Sequence, residues 1–372
     1  MVDRRLAKNY LDMAARAALR GLGDVEPNPM VGAVIVRPGV GGDEDQVIGI
    51  GHHRRFGGLH AEREALANAR GNGFDVSGAV VYCTLEPCCH VGKQPPCCDA
   101  LIEAGVSGVV YARLDPAEVS RGGHEILEEA GIWVRCDDCS ELACSISDPF
   151  IYTVETGLPW VVAKWAQTID GKIATCSGES QWISNERSRA SVHRMRARVD
   201  AVGVGIGTVL ADDPMLTARG VRRVRRTAVR VVFDTRGRLP GDCRLVESAG
   251  AYPTVVCTGS PEMISAAGVR VLECPVVDGK LDLRGSMGLL RSEVGISTIL
   301  VEAGPGLLGG LLDADLVCEA VVHVGAGIMG DGKGCVEGRE CASLDQMKRF
   351  SLGRVKRVGD DVHLWYRRSL HD

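Results

Sequence analysis

His60-Ala61-Glu62, followed by Pro87-Cys88 and, nine residues further on, Cys97, is the divided stretch on which the reading of this chain turns. An imidazole, two thiolates and a nearby carboxylate that need not be a ligand are the parts of a hydrolytic zinc centre. Catalytic zinc takes three protein ligands and leaves its fourth position to water, whereas a structural site is closed by four. The metal lowers the pKa of bound water to about 7, which makes hydroxide available at neutral pH. Glu62 lies two residues after His60, at the start of a helix expected over residues 61–70. From there it can face the water without filling the open position. A structural zinc knot would explain the cysteines but has no use for that carboxylate.

Zinc deaminases of nucleobases carry H-x-E and P-C-x-x-C, with the Glu shuttling protons and not ligating. This chain departs from the second half, because Val91 stands at the x-x-C position. Cys89 and His90 adjoin Cys88 too closely for comfortable tetrahedral geometry. Cys97 or Cys98 is therefore the third ligand. The loop that leads to them contains Gly92, Pro95 and Pro96 and is stiff where proline fixes φ.

The run Thr84-Leu85-Glu86-Pro87-Cys88-Cys89-His90-Val91-Gly92-Lys93-Gln94-Pro95-Pro96-Cys97-Cys98 resembles the riboflavin-biosynthesis deaminases. Bifunctional members of that family join a pyrimidine deaminase to a reductase. Pro27-Asn28-Pro29-Met30-Val31-Gly32 is a second family-like run. The resemblance implies Cys97 as the third zinc ligand beside His60 and Cys88, and Glu62 as the catalytic acid and base. It also places Asn28, His53, His90 and Lys93 around the deaminase substrate. By themselves, Asn28 reads as a turn residue, His53 and His90 as solvated histidines, and Lys93 as a cation suited to a phosphate. Ala117 follows Asp115-Pro116 where members of the family commonly show Asn-Pro, and Ala326 stands where a proline is often found.

Working outward, apolar runs alternate with helical patterns: strands at 33–36, 79–84, 108–111 and 133–135, helices at 6–20, 62–72, 97–104 and 122–130. This βαβ rhythm predicts a mostly parallel, layered α/β domain. The expected division is a first domain over 1–147, a linker over 148–159 and a second domain over 160–372. The resemblance implies a cytidine-deaminase-like α/β/α fold for the first and a dihydrofolate-reductase-like α/β fold for the second. Cys136 and Cys139 form a C-x-x-C pair with no second pair to accompany it, and read as ordinary thiols near a strand end.

The second half holds two glycine-rich strand-to-helix junctions, Ala201-Val202-Gly203-Val204-Gly205-Ile206-Gly207-Thr208 and Glu302-Ala303-Gly304-Pro305-Gly306-Leu307-Leu308-Gly309-Gly310. Backbone amides at such turns can cradle a pyrophosphate. Gly304, Gly306 and Gly309 formally spell G-x-G-x-x-G. A Rossmann fingerprint, however, opens its domain and is followed by an acid about 20 residues on; this run lies late in the chain. Lys164, Asp170-Gly171-Lys172, Ser177-Gly178-Glu179-Ser180-Gln181-Trp182-Ile183-Ser184 and the segment 210–214 resemble the reductase half of the same family. The resemblance implies NADPH contacts at Ala166, Trp182, Thr208, Asp212, Thr235, Gly304, Pro305, Gly306, Leu307, Leu308, Gly309 and Gly310. It implies substrate contacts at Lys164, Ser180, Arg196, Leu216, Arg219 and Glu302. Two arginines, Arg196 and Arg219, suit bidentate recognition of a phosphate.

Composition bounds the rest. With 372 residues the chain is long enough for about two domains. No run is long enough to span a bilayer, and residues 6–20 read as an amphipathic helix rather than a secretory leader. Fifteen cysteines, an odd count, fit free and metal-bound thiols in a reducing cytoplasm better than a disulfide framework. A net charge of -5 with scarce aromatics argues against a nucleic-acid surface, and Arg222-Arg223-Val224-Arg225-Arg226 reads as a solvated loop. The expectation is a bifunctional enzyme using Zn2+ and NADPH on a phosphorylated pyrimidine, assembled as a homo-oligomer (dimer or tetramer). Its rivals are a deaminase with a non-catalytic second domain, a nucleoside or tRNA deaminase, and a zinc-stabilised binding module.

Overall fold

The computed structural model describes residues 3–40 and 44–369. By its contacts the chain forms two compact units that divide between Thr156 and Gly157. The first contains α1 (Arg4–Ala18), β1 (Gly32–Arg37), β2 (Gln46–His52), α2 (Ala61–Gly71), β3 (Val80–Cys83), α3 (Cys97–Glu103), β4 (Gly108–Tyr111), α4 (Gly123–Glu129), β5 (Trp133–Cys136) and α5 (Glu141–Thr156). Strand order is β2-β1-β3-β4-β5.

Alternation along the strands sends side chains to opposite faces of the sheet. Val34, Val36, Val80 and Tyr82 pack with Ala7, Leu11 and Ala14 of α1 and Ala143 and Ile146 of α5. Ala33, Ile35, Val81 and Cys83 pack with Ala61 and Ala65 of α2, Leu101 of α3 and Leu127 of α4. The result is an α/β/α sandwich. Gly51 fixes how close α2 comes: a Cβ there would lie 2.2 Å from Ala61 O. The start of α2, which carries His60 and Glu62, is thereby seated directly on β2.

Two expectations are corrected here. The sheet is not mostly parallel, because β1 runs antiparallel to both β2 and β3, and only β3-β4-β5 is parallel. β2 escapes the sequence reading because Gly49 and Gly51 interrupt its apolar pattern. The expected linker over 148–159 is helical as far as Thr156, since α5 buries Ala143, Ile146 and Ile151 along one side.

The second unit is a nine-stranded sheet. Its order is Arg270–Glu273, Thr254–Thr258, Val229–Phe233, Ala201–Gly205, Thr298–Glu302, Trp160–Gln167, Val317–Val324, Asp361–Arg367, Ser351–Val358. The first seven are parallel, and the last two add an antiparallel hairpin. Ligands of open α/β sheets gather outside the carboxyl ends of the strands, where Gly205 and Glu302 are found, with Lys164 in register beside Glu302. The arginine-rich loop is not simply solvated: Arg226 pairs with Asp200, which also accepts from the amides of Ser297 and Thr298 at 2.9 Å. Among the described residues, no helix is long and apolar enough to cross a membrane.

Candidate functional site

In the first unit, His60 is the N-cap residue of α2 with an extended backbone, and Glu62 follows in the first turn, 3% exposed. Cys97 opens α3. The amides of Cys97 and Cys98 both reach back to Cys88 O, at 3.1 and 3.3 Å, and so close the proline loop. His60 Nδ1 lies 3.4 Å from Cys88 Sγ and 3.5 Å from Cys97 Sγ. The three donor atoms all fall within 4.8 Å of one another, forming the one such cluster among the described residues. Such spacings match the edges of a tetrahedron built on zinc bonds of about 2.1–2.3 Å. Two thiols and an imidazole suit zinc, and the set leaves a fourth position open. Cys98 turns away and donates instead to Pro87 O at 3.4 Å.

Cys97 Sγ also lies 3.4 Å from Glu62 Oε2, so the carboxylate borders the donor cluster. Burial pushes the Glu62 carboxyl above the ordinary range. The Cys97 thiol, donating to Cys88, holds Cys88 below the usual thiol range. Glu62 is thus suited to hold a proton as well as to accept one.

His60, Cys88 and Glu62 open into a cavity of about 290 Å³ that Asn28, His53, His90 and Lys93 also line. Asn28 Nδ2 meets His53 Nε2 at 3.2 Å, and His53 Nδ1 meets Leu59 O at 2.9 Å. Lys93 Nζ sits 3.8 Å above the Phe56 ring. His90 Nδ1 is buried without a hydrogen-bond partner. All four expected substrate residues therefore share one cavity with His60, Cys88 and Glu62, and Cys97 lies behind its wall.

Sequence reasoning missed Phe56, Glu86, Asp115 and Phe150 on the same walls. Glu86 accepts from the amides of Asp115, Gly122 and His124 at 3.2, 3.2 and 3.1 Å. Asp115 in turn accepts from Ala117 N at 2.9 Å, so this loop is held without the family's asparagine side chain. The signal for Glu86 was its place beside Pro87-Cys88. Phe150 gave none, because it arrives on the helix taken for a linker.

In the second unit, Glu302 takes Arg196 in a bidentate pair, Oε1 to Nε at 2.6 Å and Oε2 to Nη2 at 2.8 Å. Arg196 also donates to Thr217 O at 3.1 Å, bringing in the loop of Leu216 and Arg219. Leu216 is buried with φ of 52°, a strained position for a branched side chain. Lys164 pairs in register with Glu302. The expected reductase-substrate residues Lys164, Arg196, Leu216 and Glu302 are therefore neighbours. Among the described residues, Ser180 makes no hydrogen bond to any of them.

Of the expected cofactor residues, Thr208 Oγ1 lies 3.8 Å from where a Cβ on Gly304 would stand, which joins the two glycine-rich junctions. Asp212 accepts from Gln181 Nε2 at 3.1 Å. Trp182 is 69% exposed and stacks under Arg189, a free face beside Gln181. The glycine run divides by role. A Cβ on Gly309 would stand 2.0 Å from Glu337 O, so Gly309 serves packing, while Gly306 faces open space. Leu308 is buried in the core. At the second departure from the family, Gly327 N donates to Gly325 O at 2.8 Å and holds the turn around Ala326 without proline.

Comparison with known proteins matches residues 4–113 to the cytidine and deoxycytidylate deaminase zinc-binding region and residues 159–364 to the RibD C-terminal domain. The riboflavin biosynthesis protein RibD of Actinobacillus pleuropneumoniae is 37% identical over 366 residues, 96% of this chain and 94% of that protein. RibD of Aquifex aeolicus is 35% identical over 370 residues, 98% of this chain and 99% of that protein. Among solved structures, RibD of Acinetobacter baumannii superposes with a TM-score of 0.82 at 33% identity, covering 99% of this chain and 100% of that one. The Thermotoga maritima diaminohydroxyphosphoribosylaminopyrimidine deaminase/5-amino-6-(5-phosphoribosylamino)uracil reductase gives 0.84 at 34%, covering 98% and 99%. Two-domain architecture, donor cluster and full-length similarity agree: the chain belongs to the RibD family, the bifunctional deaminase–reductases of riboflavin biosynthesis.

Proposed function

We propose that the first unit deaminates a diaminopyrimidinone carrying a ribosylamino phosphate, and that the second reduces the ribosyl group to ribityl with NADPH. The observation that carries this reading is the clustering of His60, Cys88 and Cys97 at the wall of a cavity that Glu62 lines together with Asn28, His53, His90 and Lys93. Zinc held by His60, Cys88 and Cys97 would supply a Lewis acid that makes water a nucleophile at neutral pH. Glu62 takes the water proton at its carboxylate and returns it to the departing ammonia. Asn28 gives its amide N–H to His53 and keeps Oδ1 free to accept from a pyrimidine N–H. Lys93, steadied over Phe56, meets the phosphate.

In the second unit, Arg196 and Arg219 grip the substrate phosphate, and Glu302 with Lys164 lines the reacting end of the ribose. Ala166, Trp182, Thr208, Asp212, Thr235 and the loop Gly304-Pro305-Gly306-Leu307 receive the dinucleotide. Bound NADPH would supply the hydride, and the protein supplies position and electrostatics. The test follows ammonia release and NADPH oxidation together, with zinc-loaded protein and the diaminopyrimidinone substrate. Ammonia first and NADPH loss second is the expected order. Ammonia without NADPH oxidation would leave a deaminase alone, and neither signal would remove the substrate assignment.

A further inference from the structure

On the sheet of the second unit, His323 and His363 are direct cross-strand partners with rings stacked 3.5 Å apart and within 5° of parallel. His323 is 0% exposed, and neither of its ring nitrogens has a hydrogen-bond partner. A buried polar group left unpaired costs stability that an apolar ring of like shape would recover. The cost points to a partner that arrives only in the working enzyme.

The chemistry of the stack is defined by its far side. Ser188 Oγ donates its one proton to Asp361 Oδ2 at 2.5 Å, so it accepts from His363 Nε2–H at 2.8 Å. Asn185 N donates to the same Asp361 oxygen at 2.8 Å. His363 is thereby locked as the Nε2–H tautomer. Burial holds both rings well below the ordinary imidazole range, His363 at about 4, and the nearby Lys164 ammonium adds to the effect. Both rings are neutral, and a neutral imidazole can accept.

Strand register says what His323 faces. His323 pairs with Ala166, Val321 with Lys164, and Lys164 with Glu302. Residues two apart on a strand share a face, so His323, Lys164 and Glu302 lie on one side of the sheet. Glu302 has committed both oxygens to Arg196. The charged and titratable groups around the Lys164 ammonium are Glu302 on one neighbouring strand, Arg196 on the helix above, and the His323–His363 stack beyond the other neighbour. Of these, His323 is the one whose two ring nitrogens are both buried without a partner.

We propose that His323 is a positioning residue of the reductase: a ring nitrogen accepts a hydrogen bond from Lys164 Nζ in the ligand-bound enzyme and holds the ammonium toward the substrate. This rests on the reductase reading given above. The Asp361–Ser188–His363 chain fixes the ring beneath it, so His323 keeps its place while unpaired.

The test compares the unmodified full-length enzyme with His323→Phe and His323→Gln, using the deaminated substrate and NADPH. The phenylalanine variant is expected to melt no lower than the unmodified enzyme and, given the diaminopyrimidinone in a separate assay, to release ammonia normally. Its reductase kcat falls about tenfold, with KM for NADPH unchanged. The basic limb of its kcat–pH profile moves to lower pH, because Lys164 has lost an acceptor that favours its charged form. The glutamine variant retains an acceptor and recovers most of kcat and the original limb. A folded phenylalanine variant with unmodified kcat and pH profile overturns the proposal. If that variant does not fold, the glutamine variant decides: an unmoved basic limb supports the proposal and a displaced one overturns it. An unmodified enzyme that oxidises no NADPH removes the reductase reading and this proposal together, whereas activity matched by His323→Phe removes this proposal alone.

Discussion

Asn28 and His53 fix each other's hydrogen-bonding sense. His53 Nδ1 faces Leu59 O at 2.9 Å, and a carbonyl only accepts, so Nδ1 carries the proton. Nε2 is then the lone pair that receives Asn28 Nδ2 at 3.2 Å, and Asn28 must present Oδ1 to the cavity.

Asn28→Asp removes the N–H that His53 receives and replaces a neutral acceptor by a charged one. The expected outcome is a KM for deamination raised about tenfold, with kcat largely kept, since binding and not proton transfer is disturbed. Nitrogen-15 NMR of the unmodified protein should show a protonated Nδ1 on His53. A protonated Nε2 would reverse the amide and sink the argument.

Cys97 and Cys98 are adjacent, yet only Cys97 points at His60. Cys97→Ser should lose zinc and ammonia release together. Cys98→Ser should keep full zinc content and disturb only the weak contacts to Pro87 O and Gly123 O. Metal analysis of the two purified variants checks this directly, and equal zinc loss in both would contradict the donor set.

Glu62 borders the donor atoms without being one of them. Glu62→Gln keeps the shape and removes the proton carrier, so ammonia release should fall at least 10²–10⁴-fold, in the range for general acid–base catalysis. Zinc content should stay at one per chain, and reduction of deaminated substrate should be unchanged. A metal-free variant would make Glu62 a ligand and not a shuttle.

The sequence displays donor chemistry better than it displays shape. Zinc restricts residue types and spacing so strongly that His60, Glu62, Cys88 and the Cys97/Cys98 choice can be read from a short stretch, and their convergence in space agrees with that restriction. The choice between the two cysteines needs the third dimension, because it depends on which way the first turn of α3 faces. Phe150 is invisible in sequence because its helix resembles a connection, and β2 because glycines that admit α2 also erase its strand pattern. The Arg196–Glu302 pair spans 106 residues and has no local signature at all. Only the fold can bring such groups together.

That pair also tests the second unit. Arg196→Lys keeps the charge but cannot reproduce two parallel N–H bonds to Glu302. Reductase kcat/KM should fall about 10–100-fold, mainly through KM for the phosphorylated substrate, while ammonia release is unaffected. Steady-state kinetics of the two half-reactions separates the effects, and a loss confined to the deaminase would refute the assignment.

The glycine run after Glu302 invites a single explanation, but its members stand in different places. A methyl on Gly309 would meet Glu337 O at 2.0 Å, a backbone atom that cannot swing aside. Gly309→Ala should therefore destabilise the second unit by about 1–3 kcal/mol, the usual range for overpacking. Gly306 faces open space, so Gly306→Ala costs the fold nothing by crowding, and alanine is the better helix former. If the helix start is where a pyrophosphate rests, that same methyl stands in the way of the cofactor. The expected pattern is thus a crossed one: Gly306→Ala melts at or above the unmodified temperature but binds NADPH at least tenfold more weakly, whereas Gly309→Ala melts lower. Calorimetric melting and NADPH titration of both variants check it. A Gly306→Ala protein with unmodified NADPH affinity would move the cofactor away from this helix and leave the glycines as packing residues alone.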